Sequence, residues 1–301
     1  MTISRAQLAK ELEPGLNALF GLEYDRYENE ASEIFESEGS DRAFEEEVML
    51  SGFGTAPVKT EGSAINFDDA QETYTARYTM ETIALAFSIT EEAVEDNLYD
   101  RLAARYTRAL ARSMAQTKQI KGATVLNNAF LTTSPIGDGA ALCSAAHPSL
   151  SGNQRNLLET PADLNETSLE DILIQIAGFT DERGLKIAVR GTKLLIPKEL
   201  QFIAERIINS NLRPGSADND INAMKSMGML PEGAVVNHFF TDADAYFVKT
   251  DCPNGFKLFN RTPLKTAMEG DFDTGNMRFK ARERYAFGVS DWRCVYGTPG
   301  A

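Results

Sequence analysis

Cys143 and His147 lie four residues apart in Cys143-Ser-Ala-Ala-His147-Pro148, and a thiol beside an imidazole is the raw material of a nucleophile and its base. Closeness in sequence is weak support for such a pair, because folds usually bring catalytic partners together from distant segments. Pro148 favours a rigid turn that holds this loop over a core. The other histidine, His238 between Asn237 and Phe239, reads as a core or interface residue rather than a ligand. Asp242 and Asp244 lack the spacing and the downstream glutamate of a calcium loop and read as turn residues. Gly52-Phe-Gly54 and Gly137-Asp-Gly139 lack the third glycine of a dinucleotide loop, and there is no P-loop. Cys143, Cys252 and Cys294 form no CxxC or Cys/His zinc spacing; an odd, dispersed set suits a reduced intracellular setting. No catalytic group, cofactor or metal is therefore expected, and a hydrolase using Cys143 and His147 stands only as an alternative.

Charge patterning is more informative. The chain carries a formal charge of −14, which opposes general affinity for a phosphate backbone. Against that background Arg101, Arg105, Arg108 and Arg112 step by four, three and four, so a helix sets all four guanidinium groups on one face. They lack acidic partners on their own helix and repel one another slightly. From Glu23 to Glu47 the balance reverses, with Glu33 and Glu36 among the acids and only Arg26 and Arg42 opposing them. That arm reads as solvated and partly disordered, and as a donor of acidic partners to the arginine stripe. Near the end Arg278, Lys280, Arg282 and Arg284 alternate with Phe279, Ala281 and Tyr285, a strand with one basic and one aromatic face.

Several elements must carry these groups. Residues 1 to 20 have leucines at helical spacing, interrupted by Pro14-Gly15. Between Glu46 and Ile89 strand signals enclose a Gly/Pro/Asp-rich stretch. Tyr74, Ala76, Tyr78 and Met80 alternate with polar residues, and Ile83, Leu85, Phe87 and Ile89 continue the period of two. A long isolated ribbon is marginal in water and needs a surface to lie on, so Tyr74 and Tyr78 are candidates for contact with another copy. Thr90 looks like the N-cap of a long helix, with Ile89 and Val94 as a staple and residues 98–121 spanning roughly 36 Å at ~1.5 Å per residue. A loop-rich stretch from Leu131 to Pro161 suggests a domain boundary. Beyond it Thr167-x-x-Glu170 reads as a capping box, 185–189 and 193–196 as strands, and Pro197 as the start of a helix. Residues 209–222 form a long polar loop, strands return at 235–240 and 246–250, and Trp292 is assigned to the core. No apolar run reaches membrane-spanning length.

The order of these parts resembles the tailed-phage major capsid proteins, and in particular the Mu-type major head subunit. The resemblance is carried by Cys143-Ser-Ala-Ala-His147-Pro148, Leu194-Leu-Ile-Pro197, Phe239-Phe-Thr-Asp-Ala-Asp-Ala-Tyr-Phe247, and Tyr285-Ala-Phe-Gly-Val-Ser-Asp-Trp-Arg293 with Tyr296-Gly297. It implies an α+β fold with an N-terminal arm (1–45), an extended β-hairpin loop (46–88) that lies on a neighbour, and a long spine helix. It also implies a peripheral domain (89–133 and 251–287) and an axial domain (134–250 and 288–301). Function would then be structural: pentamers and hexamers of an icosahedral shell around double-stranded DNA, located in the virion and assembled in the host cytoplasm. A separate scaffolding protein, a portal and decoration proteins are the further partners it implies. Lys59, the sole lysine between Lys10 and Lys118, falls where some members crosslink, but nothing around it identifies a partner asparagine. Encapsulin compartments share the fold and form the alternative shell reading.

Overall fold

A computed structural model describes residues 5–27, 29–90, 92, 99–212, 220–271 and 274–301. In chain order the main elements are α1 (Arg5–Tyr24), β1 (Glu36–Gly39), β2 (Phe44–Leu50), β3 (Glu72–Thr79), β4 (Glu81–Ile89) and α2 (Tyr99–Asn127). They are followed by α3 (Glu166–Ala177), β5 (Gly191–Pro197), α4 (Gln201–Asn209), α5 (Ala223–Met227), β6 (Ala234–Asn237) and β7 (Tyr246–Thr250). The chain ends in β8 (Phe256–Gly270), β9 (Met277–Val289) and β10 (Val295–Thr298). Two compact units result. The first comprises Met1–Phe44, Thr79–Gly122 and Leu258–Phe287; the second comprises Glu45–Tyr78, Ala123–Lys257 and Gly288–Ala301.

In the first unit a four-stranded sheet, ordered β1-β8-β9-β4, carries helices on one face. β4 and β9 pair antiparallel without a bulge from Glu81↔Tyr285 to Ile89↔Met277. The pleat sends successive side chains to opposite faces, so Phe279 and Ala281 of β9 meet Leu16 and Phe20 of α1 and Leu110, Ala111 and Met114 of α2. Arg278, Lys280 and Arg282 are left exposed on the other face, as the alternation in the sequence requires. Helix α2 has 29 residues, about 43 Å at 1.5 Å each. Its expected onset at Thr90, with the Ile89–Val94 staple, falls on residues 91 and 93–98, outside the described residues.

Two expectations for the N-terminal region fail here. Pro14 does not end the first helix; α1 runs through it, and burial of Leu16 and Phe20 offsets the hydrogen bond that proline cannot make. The acidic segment is ordered as well. Ile34 and Phe35 are buried, Phe35 meets Phe287 edge-on at 4.9 Å, and Gln119 of α2 accepts from the Ala31 amide at 2.9 Å. β1 then joins the sheet edge. Two apolar side chains among the acids suffice to dock it, so the acids decorate a fixed segment.

In the second unit a sheet ordered β10-β7-β5-β6 has β5 at its centre, parallel to β6 and antiparallel to β7. Leu194 and Ile196 of β5 share a core with Leu169, Ile172, Leu173 and Ile176 of α3, Ala204 and Ile207 of α4, and Trp292 and Tyr296. The cap of α3 is Asn165, which accepts from the Ser168 amide while Ser168 accepts from the Asn165 amide; the Thr167/Glu170 box is not formed. Residues 185–189 form no strand beyond an isolated bridge at Lys186, and β6 stops at Asn237. The ribbon is two-stranded only as β2–β3. After Thr79 the chain leaves it, so β4, expected to prolong the ribbon, belongs to the sheet of the first unit.

Candidate assembly surfaces

The residues that offered nucleophilic chemistry are locked in a core. His147 is fully buried, with Nδ1 2.6 Å from Asp138 Oδ2 and Nε2 2.9 Å from Asn156 Oδ1, and its ring stacks on Trp292 at 4.5 Å. Asn156 is held in that orientation because its Nδ2 donates to the carbonyls of Leu142, Trp292 and Val295. Both imidazole nitrogens are thus engaged away from Cys143, whose thiol burial pushes far above its ordinary pKa. A buried thiol with no base is a packing group, so the Cys143/His147 hydrolase alternative loses its geometry. Beside this cluster the buried Arg293 pairs with Glu182 at 2.9 Å and lies over the Trp292 ring at 4.4 Å. Asp138 and Asn156 were not singled out by sequence, since both sit in polar loop stretches without periodicity.

His238 is exposed in a turn after β6 instead of lying in an apolar strand. Asp242 accepts from the Asp244 amide at 3.1 Å, which is turn chemistry. Among the described residues no group of three His, Cys, Asp or Glu could hold a metal, and no helix is long and apolar enough to cross a membrane.

The hairpin divides into a fixed base and an offered tip. At the base, Tyr78 is 4% exposed and its hydroxyl bonds Ser290 Oγ, while Tyr74 donates to the Ser290 carbonyl at 3.3 Å. Glu47 joins the same group through Lys257 and Ser290. Close approach is possible because Gly288 lies under the Tyr78 ring, where a Cβ would come within 2.6 Å, and Gly137 meets the Ala76 backbone, where a Cβ would come within 2.9 Å. Of the two tyrosines picked as contacts to another copy, Tyr78 is buried within its own chain and Tyr74 is partly buried with its hydroxyl on Ser290.

Residues 53–67 form no strand. Phe67 is 96% exposed, Val58 94% and Ile65 70%. Lys59 is exposed among them. The tip is pinned at its root by Arg183, whose Nη1 reaches both Asp68 oxygens at 2.8 Å. The Gly54 amide and then Arg183 hold the Asp68 carboxyl below its ordinary pKa.

On α2, Arg105, Arg108 and Arg112 are exposed and have no partner among the described residues; the side chain of Arg101 lies outside them. Glu33 and Glu36 are exposed on the docked acidic segment. Among the described residues no ion pair joins Arg105, Arg108 or Arg112 to these acids.

Residues 73–297 match the family model described as phage capsid protein. Among solved structures the chain resembles a virus-like particle from Pyrococcus furiosus, with 8% identity, TM-score 0.54, and 94% of this chain and 97% of that one covered. It also resembles the Microbacterium phage Oxtober96 structure, at 12% identity and TM-score 0.52 with 90% of each chain covered. The capsid of Myoviridae phage XM1 is similar at 13% identity and TM-score 0.52, with 89% of each covered. No curated protein matches by sequence. At such identities the structural matches speak for the fold, the tailed-phage major capsid fold that the order of elements suggested. Taken with the family match over most of its length, they establish that this chain belongs to the phage capsid protein family and is a structural subunit of a capsid shell.

Proposed function

We propose that the chain is the major head subunit that forms pentamers and hexamers of an icosahedral shell enclosing double-stranded DNA. The observation that carries this is the hairpin tip, where Val58, Ile65 and Phe67 stand almost fully exposed on a segment rooted in its own subunit. Such apolar groups on a projecting loop gain only when another surface covers them, and a second copy is the surface always present during assembly. Residues 1–45 then serve as the arm, 46–88 as the region of the extended loop, 89–133 with 251–287 as the peripheral domain, and 134–250 with 288–301 as the axial domain. The stripe of Arg101, Arg105, Arg108 and Arg112 meets acidic residues such as Glu33 and Glu36 of a neighbouring copy, which relieves the repulsion along α2. DNA is enclosed without sequence-specific contact, a separate scaffolding protein and a portal complete assembly in the host cytoplasm, and the subunit performs no catalysis.

Light scattering of the purified chain, followed by electron microscopy, tests this. Closed shells, or rings of five and six, are the expected outcome, with scaffolding protein supplied if the chain alone does not close. A stable monomer that scaffolding protein cannot convert would refute it. The match to a virus-like particle favours one second reading, an encapsulin-like compartment; nucleic acid inside purified particles separates the two. Mature particles should run as a single band on a denaturing gel; a ladder would implicate Lys59 in crosslinking.

A further inference from the structure

His147 is held between two hydrogen-bond acceptors. A neutral imidazole donates from one ring nitrogen and accepts at the other; only the imidazolium donates from both. Here Nδ1 faces Asp138 Oδ2 at 2.6 Å and Nε2 faces Asn156 Oδ1 at 2.9 Å. Asn156 cannot turn its amide to offer a donor instead. Its Nδ2 already donates to the carbonyls of Leu142, Trp292 and Val295 at 2.7, 3.1 and 3.1 Å, and its Oδ1 accepts from the Ser144 amide at 2.8 Å. Asp138 is an acceptor as well, since its Oδ1 takes the Ala140 amide at 2.9 Å. Charge and stacking agree with this pattern. The Asp138 and His147 side chains are both 0% exposed, and among the described residues Asp138 has no other cation within ion-pair distance. Arg293 is occupied by Glu182 at 2.9 Å and Asp291 at 3.3 Å. A buried carboxylate without a counter-charge is costly. The His147 ring lies parallel to Trp292 with centroids 4.5 Å apart, a placement that suits a cation on an aromatic face.

We infer that His147 is a buried imidazolium, and that its second ring proton is a structural part of the second unit that keeps the seat of the hairpin base in place. If that proton leaves to solvent, a ring lone pair faces either Asn156 Oδ1 or Asp138 Oδ2. One of the two contacts then turns repulsive whichever nitrogen keeps its hydrogen. The turn at 136–140 carries Asp138 and also Gly137, which meets the Ala76 backbone of β3 so closely that a Cβ would come within 2.9 Å. A disturbance at Asp138 is therefore passed to the root of the hairpin. The unfolded chain lacks both acceptors, so the stabilisation is present at lower pH and fades as pH rises. The other charged groups around this corner keep that sign. Glu182 and Asp291 against Arg293 leave one excess negative charge, which favours the imidazolium, and burial keeps the Tyr74 hydroxyl protonated.

Nitrogen-15 NMR of the full chain labelled in histidine reads the ring directly, with His238→Gln assigning the signals. At about pH 8 an ordinary histidine, of pKa about 6.5, is mostly neutral, whereas His147 should carry protons on both nitrogens. Asp138→Asn puts a donor where an acceptor stood, so in that variant His147 should become neutral and protonated at Nε2 alone. Amide hydrogen exchange in one assembly state, corrected for intrinsic rates, reads the hairpin seat. Residues 74–78 of the wild-type chain should be several-fold less protected at about pH 9 than at about pH 6, while paired β4 and β9 of the first unit stay unchanged. Asp138→Asn should abolish that difference. A singly protonated His147 in the wild-type chain at pH 8 would overturn the imidazolium. A doubly protonated ring with equal protection of 74–78 at both pH values would overturn its role in the seat. If Asp138→Asn does not fold, the wild-type spectrum and exchange decide alone.

Discussion

The base and the tip of the β2–β3 hairpin are parts of one loop built on opposite principles. At the base the inward-facing groups have partners in their own chain: Tyr78 on Gly288, Ala76 on Gly137, and Glu47 with Lys257 and Ser290. At the tip, a dozen residues away, Phe67 and Val58 have almost none of their surface covered. A loop free along its whole length would lose much conformational entropy on docking, and a loop packed throughout could not reach a partner. Fixing the base while leaving the tip bare places the apolar groups in reach of another copy at reduced entropic cost. Arg183 and Asp68 mark the border between the two regimes.

Substitutions at the base should act on the subunit itself, and those at the tip on assembly alone. The largest loss of subunit stability is expected from Gly288→Ala, whose added methyl would enter the Tyr78 ring; overpacking of this kind costs about 1–3 kcal/mol, measurable by urea denaturation. Tyr78→Phe should cost about 1 kcal/mol by leaving the buried Ser290 and Glu47 group short of one hydrogen bond. Phe67→Ser should change subunit stability by less than about 0.5 kcal/mol yet sharply reduce the yield of shells by light scattering. If the base and tip substitutions exchange these effects, the division of the hairpin is wrong.

The border responds to acid. Asp68 has a lowered pKa, so its contribution is present above the unfolded carboxyl value of about 3.9 and is lost as pH falls through the folded one. Exchange protection near Gly54 should therefore hold at neutral pH and fade only in strong acid, and Asp68→Asn should remove that protection at neutral pH. This is the smallest effect, because the pair is solvent-exposed.

Much of the fold was legible where a period is long and unambiguous. The reading of one long helix over 98–121 is met by α2, and the alternation of Arg278, Lys280, Arg282 and Arg284 with Phe279, Ala281 and Tyr285 predicted the two faces of β9, of which the aromatic one is buried. Legibility failed where two local signals compete. Asn165-x-x-Ser168 and Thr167-x-x-Glu170 are both acceptable caps, and the fold uses the first. Alternation runs almost unbroken from Tyr74 to Ile89, yet Met80 bonds the Ala43 carbonyl and the chain changes sheets there. Periodicity reports which residues share a face and is silent about which strand lies alongside. The density of acids before Glu47 concealed Ile34 and Phe35, the two residues that dock that segment.

The sequence alone determined the types and faces of the long elements, the arginine stripe and the general order of parts, because these depend on spacing along the backbone. Only the tertiary structure decided the partners. It set His147 between Asp138 and Asn156 instead of near a reactive Cys143, turned the hydroxyls of Tyr74 and Tyr78 onto Ser290, and brought the Tyr24 hydroxyl to Glu283. Each outcome depends on groups up to 259 residues apart in the chain, as Tyr24 is from Glu283, and no local pattern encodes such a meeting.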